Sequence, residues 1–300
     1  VSTVAAPADL HTHVLGWYAL AARDLPWRRP DASAWGVFVS EVMLQQTPVA
    51  RVEPVWRAWM SRWPTPAALA EAAPGDAVRA WGRLGYPRRA LRLHAAAVAM
   101  VERHEGEVPG TEAELLALPG VGTYTAAAVA TFAFGERTTV VDTNVRRVLA
   151  RVVTGEEYAA PSPTRAEHTR AASLVPHDPA TARLWSVAVM ELGALVCTAR
   201  APRCADCPLA RRCAWRLAGH PAYNGPARRG QAWHGTDRQL RGALLAVLRA
   251  HPGPVAARTL EAVSDAAAQR DRCLDSLVAD GLVEALAGGR FGLPGAREAG

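Results

Sequence analysis

Apolar residues recur at helical spacing through the first two hundred positions, and no run there alternates with period two, so the expected fold class is all-α. The spacing predicts a helix around Leu91 to Val101, another carrying Val145, Val148, Leu149 and Val152 at i, i+3, i+4 and i+7, and a third from Leu184 to Val196. Each buries one face. Breaks are expected where proline and glycine interrupt the pattern, at Pro64, Pro66, Pro74, Gly82, Gly85, Pro109 and Gly110. A second set falls at Pro161, Pro163, Pro176 and Pro179. From about Gly219 to Gly235 the periodicity stops and Gly, Pro, His and Arg dominate, Arg228 and Arg229 among them, which reads as a linker. Beyond it the pattern predicts helices over Asp237 to Ala250, Val255 to Val263 and Ala266 to Ala279. The chain then turns at Asp280-Gly281 into Leu282 to Leu286, Gly288-Gly289 and Arg290 to Leu293.

Three helices followed by a Gly-Gly hairpin resemble a winged helix. Its Arg241, Arg249, Arg258, Arg270 and Arg272, with the wing Gly288-Gly289-Arg290, offer charges for phosphates. A module that touches only protein is the alternative.

Composition narrows the classes. At 300 residues the chain has room for about two domains, and with 50% apolar and 21% charged residues it should fold rather than stay disordered. No apolar run approaches the roughly 18 residues of a membrane span, and the N-terminal residues carry no export pattern, so a cytoplasmic protein is expected. The net charge of +6 permits a polyanionic partner. All 34 basic residues are arginine. Without lysine, a mechanism that needs a side-chain Schiff base is excluded, and only the N-terminal amine could form one.

Three features carry chemistry. The first is Cys197-x6-Cys204-x2-Cys207-x5-Cys213, with Cys273 far away. An odd cysteine count in a cytosolic chain argues against disulfides and for a metal. One Cys-x2-Cys flanked by single cysteines suits the corners of a [4Fe-4S] cluster better than the paired knuckles of zinc, which is the alternative. Arg200, Arg203, Arg211 and Arg212 around these thiols suggest a basic loop facing phosphate. The second is Leu118-Pro119-Gly120-Val121-Gly122-Thr123-Tyr124, a glycine turn entering a helix, where open backbone N–H groups suit a phosphate. The third is a pair of carboxylates. Glu41 lies inside the apolar stretch Trp35 to Thr47, where apolar walls favour the protonated form that a general acid needs. Asp142 ends the run Thr138 to Val141 just before a helix, whose N-terminus favours the ionised form. Plain readings exist for both, a surface Glu and an N-capping Asp.

Taken together, Ser40-Glu41-Val42-Met43-Leu44-Gln45-Gln46-Thr47, the Leu-Pro-Gly-Val-Gly turn, Val141-Asp142-Thr143-Asn144-Val145 and the four-cysteine spacing resemble the helix-hairpin-helix DNA glycosylases over about residues 10 to 217. The pattern is most similar to the members that remove adenine. The resemblance implies a base excision repair enzyme, expected to be monomeric, that hydrolyses the N-glycosidic bond of adenine opposite 8-oxoguanine or guanine in double-stranded DNA. It implies two helical domains facing a cleft. Residues 25–136 would form the helical barrel with the hairpin, residues 1–24 and 137–218 the cluster-bearing domain, 219–235 a linker and 236–297 the winged-helix module. Glu41 would protonate the adenine ring and later activate water. Asp142 would stabilise the oxocarbenium ion or bond to it transiently, with Tyr124 and Asn144 assisting. Arg23, Leu25, Trp27, Arg28 and Glu191 match the adenine pocket. Gln46 and Tyr86 match the wedge that fills the duplex when a base is flipped out. Thr47, Gly120, Gly122 and Thr123 match DNA contacts, and Cys197, Cys204, Cys207 and Cys213 the cluster ligands.

Three departures stand out. Pro87 follows Tyr86 where members of the family often have a second tyrosine. Thr143 replaces a common glycine, so that segment reads partly like endonuclease III. In place of the Nudix-like domain with which many adenine-removing members inspect 8-oxoguanine, the residues after the cluster look like a winged helix. A thymine or uracil mismatch glycosylase of the same family, an endonuclease III-like lyase and a non-catalytic iron-sulfur DNA-binding sensor are the competing readings. The lyase lacks its lysine, since Tyr124 stands in the hairpin helix; Glu41 argues against the mismatch enzyme, and both carboxylates against the sensor.

Overall fold

The computed structural model describes residues 7–225 and 233–296, and these are mostly helical. Arg228 and Arg229 of the expected linker lie outside the described residues. The helices are α1 (Pro7–Ala21), α2 (Ala34–Leu44), α3 (Val49–Arg62), α4 (Pro66–Ala70), α5 (Pro74–Trp81), α6 (Arg88–Arg103), α7 (Glu112–Leu116) and α8 (Thr123–Phe134). They continue with α9 (Thr143–Leu149), α10 (Arg165–Ser173), α11 (Pro179–Leu195), α12 (Ala214–Leu217), α13 (Asp237–Ala250), α14 (Ala257–Glu261) and α15 (Ala267–Ala279). No helix among the described residues is long and apolar enough to cross a membrane.

The chain divides into two compact units. One comprises residues 1–34, 110–116 and 122–227; the other comprises 35–109, 117–121 and 228–300. In the first unit α11 is the spine. Asp178 caps it, accepting from the Thr181 N–H at 2.8 Å, and its Trp185, Val189 and Leu192 pack on Leu10 and Val14 of α1 and on Val145, Val148 and Leu149 of α9. The helix predicted through Val152 does not stay α-helical. It loosens into a π-turn over Ala150–Thr154, closed by Gly155 in the left-handed conformation, and Val152 still reaches the core. Small residues dominate α8, whose positions 125–131 are all buried.

The second unit is built on α2, in which every residue from Trp35 to Met43 is buried. Trp59 packs edge-on against Trp63 and Trp81, and the Trp35 indole N–H donates to the Trp63 carbonyl at 3.0 Å. Against these pack the amphipathic helices α5 and α6, the latter overlying α4.

The same unit holds the C-terminal module. Its helices α13 and α15 bury Leu240, Leu244, Leu248 and Leu277, and Cys273 sits with them as a small apolar side chain. The expected helix from Val255 to Val263 is shorter than predicted. Val255–Ala256 form β1, paired antiparallel with Phe291 and Arg290 of β3 (Arg290–Gly292), which also pairs with β2 (Glu284–Leu286). Ala256, extended at ψ 151°, is the N-cap of α14, and pairing with β3 takes up the β-branched Val255 instead.

Reciprocal bonds dock this module onto α5. Arg79 donates to the carbonyls of Leu248 and His251 at 3.4 and 2.6 Å, capping α13, while Arg249 returns a bond to the Val78 carbonyl at 3.1 Å. Gly75 N–H donates to the Pro294 carbonyl at 2.7 Å, and a Cβ at Gly75 would lie 2.6 Å from that oxygen, so only glycine permits the approach. Most arginines expected to serve phosphates are thereby engaged within the protein. Arg249 holds Val78, Arg241 bonds Ser276 and Asp280, Arg270 donates to the Ser264 carbonyl at 3.0 Å, and Arg272 pairs with Asp237 at 2.9 Å. The reason is proximity: helix C-terminal carbonyls and local aspartates reach these guanidiniums first.

Candidate active site

In the first unit Asp142 is the N-cap of α9. One carboxylate oxygen accepts from the Val145 N–H at 2.7 Å and the other from the Asn144 amide at 2.7 Å. The plain N-cap reading is therefore correct, and it does not exhaust the residue. Burial pushes the Asp142 pKa up, more than the bonds from Val145 and Asn144 lower it. The helix end and its hydrogen bonds favour the carboxylate, and desolvation acts against them with the larger effect.

Asn144 is held in turn. Arg147 donates to its Oδ1 at 2.7 Å, to the Gly193 carbonyl at 2.7 Å and to the Cys197 carbonyl at 2.7 Å. A Cβ on Gly193 would approach Asn144 Cβ to 2.6 Å, so α11 needs glycine there for Asn144 to lie against it. Tyr124, the second residue of α8, packs half-buried against Ala127, Ala128 and Val140, together with Met190 of α11.

The residues expected in the adenine pocket also meet in this unit. Glu191, with no exposed surface, accepts from Arg23 Nε at 2.6 Å and Nη2 at 2.7 Å and from Arg28 Nη1 at 3.0 Å. Burial raises the pKa of Glu191, but the Arg23 and Arg28 guanidiniums together hold it below the usual carboxylate value. Leu25 and Trp27 are buried beside them in the short 3-10 turn Pro26–Arg28. Tyr18, which sequence reasoning missed, joins this group. Burial raises its pKa, and Arg28 and Glu191 are among the charges acting on it.

The four cysteines of the expected cluster line one cavity with Val148, Leu192, Val196 and Trp215. Arg151, 1% exposed, lies over the Trp215 ring and donates to Cys197 Sγ at 3.3 Å and to the Thr198 carbonyl at 2.7 Å. Among the described residues no three His, Cys, Asp or Glu side chains converge closely enough to grip a single metal ion. Burial pushes the Cys207 thiol up to about 12 and raises that of Cys213 as well. The basic loop around them is partly committed: Arg212 pairs with Asp9, and Arg203 donates to the Leu195 carbonyl at 2.7 Å.

In the second unit Glu41 lies on α2 with 4% of its surface exposed, among neighbours that are all buried. The alternative of a surface glutamate is excluded. The expected wedge residues Gln46 and Tyr86 both adopt left-handed backbone, with φ of 54° and 48°, a conformation costly for residues with a side chain. Pro87, with φ of −63°, forms the N-cap position of α6 immediately after Tyr86.

Arg89, also missed, ties the two loops together. It donates to the carbonyls of Val42, Met43 and Gln45 at 2.9, 3.0 and 2.6 Å, to Thr47 Oγ1 at 3.0 Å and to the Gly85 carbonyl at 3.1 Å. Thr47 is thus buried in this clamp. Gly120 is left-handed at φ 75°, and a Cβ there would meet the Arg92 side chain at 2.6 Å. On the first unit's side of the turn, Gly122 precedes α8 without capping it by a side chain, and Thr123 is its first residue. Nothing in the sequence separates Arg89, Arg147 and Arg151 from the other arginines, because their role comes from carbonyls that meet only in the fold.

Comparison with known proteins gives the family. Residues 39–173 match the HhH-GPD superfamily of base excision DNA repair proteins. The chain is 56% identical to the adenine DNA glycosylase of Mycobacterium tuberculosis over 95% of this chain and 93% of that protein. Among solved structures, a thermostable thymine-DNA glycosylase superposes with a TM-score of 0.64 at 25% identity, covering 71% of this chain and 97% of its own. Endonuclease III in a non-covalent complex with DNA superposes with a TM-score of 0.59 at 22% identity, covering 72% and 98%, which shows a shared fold. The chain belongs to the adenine DNA glycosylase family, among the HhH-GPD base excision DNA repair proteins.

Proposed function

We propose that the protein removes adenine mispaired with 8-oxoguanine or guanine in double-stranded DNA by hydrolysis, without cutting the strand. The observation that carries this reading is the buried carboxyl of Glu41 on a helix buried from Trp35 to Met43. Adenine departs poorly as an anion, and a carboxyl shielded from water can deliver the proton that its ring nitrogen needs. Thymine and uracil set no such requirement.

In this mechanism Glu41 protonates the base and afterwards activates water. Asp142, oriented by Val145 and Asn144, stabilises the oxocarbenium ion or bonds to it transiently. Tyr124 and Asn144 assist around the sugar and Asp142. Arg23, Leu25, Trp27, Arg28 and Glu191 receive the flipped base, and Gln46 and Tyr86 occupy the space it leaves. Thr47, Gly120, Gly122 and Thr123 complete the DNA contacts, the glycine turn offering backbone N–H groups to phosphate.

Cys197, Cys204, Cys207 and Cys213 fit a [4Fe-4S] cluster: four sulfurs surround one cavity without converging on a single point, as a group larger than one ion requires. When bound, the cluster supplies structural order to the loop from Cys197 to Cys213. The same reading takes residues 1–24 and 137–218 as the cluster-bearing domain and 25–136 as the helical barrel. It takes 236–297 as a winged-helix module after a linker, in a monomeric cytoplasmic enzyme.

The test is incubation with duplexes carrying A, T, U or thymine glycol opposite G or 8-oxoguanine, followed by alkaline cleavage of abasic sites. Release confined to adenine supports the proposal. Release of T, U or thymine glycol in preference to adenine overturns it.

A further inference from the structure

A cleft of about 1510 Å³ runs through the second unit between the two wedge loops and the C-terminal module. On one wall stand Gln46 and Tyr86 with Arg51, Arg83 and Arg92, and on the other Trp233, ahead of α13, and Arg238 in its first turn. Eight arginines line it against one acid, Asp280, which already pairs with Arg88 at 2.9 Å and with Arg241. Arg89 is buried and Arg249 half-buried, both in structural bonds; Arg51, Arg83, Arg92 and Arg238 are exposed, with Arg51 donating to the Arg83 carbonyl. The aromatics are unusually open: Tyr86 is 52% and Trp233 48% exposed, with the Arg238 guanidinium 5.1 Å from the centre of the Trp233 ring. Because Arg79, Arg249 and Gly75 fix the module to α5, the cleft is a built feature of this unit and not the chance approach of a tethered tail.

Arginines around exposed aromatics are the composition that tracks a nucleic-acid strand, the guanidiniums taking phosphates and the rings stacking bases. The wedge residues decide which strand. A side chain that fills the gap left by a flipped base faces the base's former partner, so a cleft opening at Gln46 and Tyr86 continues along the opposite strand.

We propose that this cleft seats the strand opposite the excised base, with phosphates on Arg51, Arg83, Arg92 and Arg238 and an unstacked base against Trp233. The C-terminal module thus forms one wall of the DNA site. This rests on the wedge assignment above and extends it to residues beyond the glycosylase core.

The test uses the full chain and a duplex in which 2′-fluoro-2′-deoxyadenosine resists cleavage. Dissociation constants are measured over a salt series for the wild type, Arg238→Ala, Arg238→Lys and Trp233→Ala, with methylphosphonates replacing phosphates on one strand or the other. Arg238→Ala should lower the slope of log K against log salt by about 0.9, and Arg238→Lys should restore it. Trp233→Ala should weaken binding roughly tenfold with the slope unchanged. Methylphosphonates opposite the adenine should weaken the wild type while costing Arg238→Ala less, whereas those on the adenine strand should weaken both equally. A wild-type slope in Arg238→Ala, as a protein-facing cleft would give, overturns the proposal. So does equal sensitivity of the wild type and Arg238→Ala to methylphosphonates on the opposite strand. Failure of the wild type to release adenine from any duplex refutes the glycosylase reading separately, because the binding comparison does not depend on cleavage.

Discussion

Replacing Arg89 with methionine separates stability from function at the proposed wedge. The variant keeps an unbranched apolar side chain in a site that is 6% exposed but removes every donor to the two loops. The carbonyls of Val42 and Met43, bonded at 2.9 and 3.0 Å in buried surroundings, lose their partner, at about 1–3 kcal/mol each and roughly 4 kcal/mol together. Against this stands what the guanidinium costs to bury. Its pKa is held at about 10 where 12.5 is usual, because burial disfavours the charge, which amounts to roughly 3 kcal/mol at neutral pH. The difference is a loss of about 1 kcal/mol while the loops keep their wild-type shape, which loop relaxation then offsets, so Tm should stay within about 2 °C of the wild type for a chain of this size.

Function should suffer more. Gln46 and Tyr86 sit in left-handed backbone that costs about 1 kcal/mol each and persists only while the surroundings impose it. Freed from Arg89, both loops gain about 2 kcal/mol by relaxing, and the wedge loses its preset shape. Base flipping, followed by the fluorescence of 2-aminopurine at the position of the excised base, should then fall about 30-fold in equilibrium extent. A variant that loses more than about 3 kcal/mol of stability yet flips the base like the wild type would refute this reasoning, because Arg89 would then be a packing element with no hold on the wedge.

Other expected outcomes follow from the same geometry. Glu41→Gln should bind duplex normally but lose about 10²–10⁴-fold in single-turnover rate; a rate near wild type would remove Glu41 as the general acid. Because burial raises the Asp142 pKa, the rate should begin to fall with decreasing pH above the range of an exposed aspartate. Asn144→Ala, which deletes a bond favouring the carboxylate, should move that limb to still higher pH in a single-turnover pH profile. Glu191 is held below its usual pKa of 4.5, so its pairing stabilises the fold fully above that pH and is lost as pH falls through the lower folded value. Thermal melts of the wild type and Glu191→Gln should differ by about 2–3 kcal/mol at pH 7, less than a fully dry ion pair since Arg23 and Arg28 are 33% and 21% exposed, and should converge toward pH 3. Borohydride should trap no covalent adduct with DNA in protein free of tag lysines, since the sequence contains no lysine; substantial trapping would contradict simple hydrolysis.

What the sequence could and could not disclose follows from how local each feature is. The core stripe of Val145, Val148, Leu149 and Val152 was legible because helical periodicity is a property of neighbouring residues, and even the π-turn leaves all four buried. Asp142 as an N-cap was legible for the same reason, and the four thiols by their spacing. The upward shift of the Asp142 pKa was not, because it depends on how much water the surrounding helices exclude, and that is a tertiary quantity. Arginine is the sharper case. With 34 arginines and no lysine, composition offers a uniform field of cations and invites the reading that each serves DNA. The fold sorts them by the nearest acceptors. Arg89, Arg147 and Arg151 meet clustered carbonyls and become internal struts, Arg249 and Arg272 tie helices together, and Arg238 stays exposed beside Trp233 on the cleft. A planar guanidinium with five donors can hold three carbonyls at once, as Arg89 does, whereas an ammonium with three donors on a flexible stem would hold the same loops less rigidly. The exclusive use of arginine therefore fits the architecture as closely as it fits a polyanionic substrate, and net charge alone could not have told the two apart.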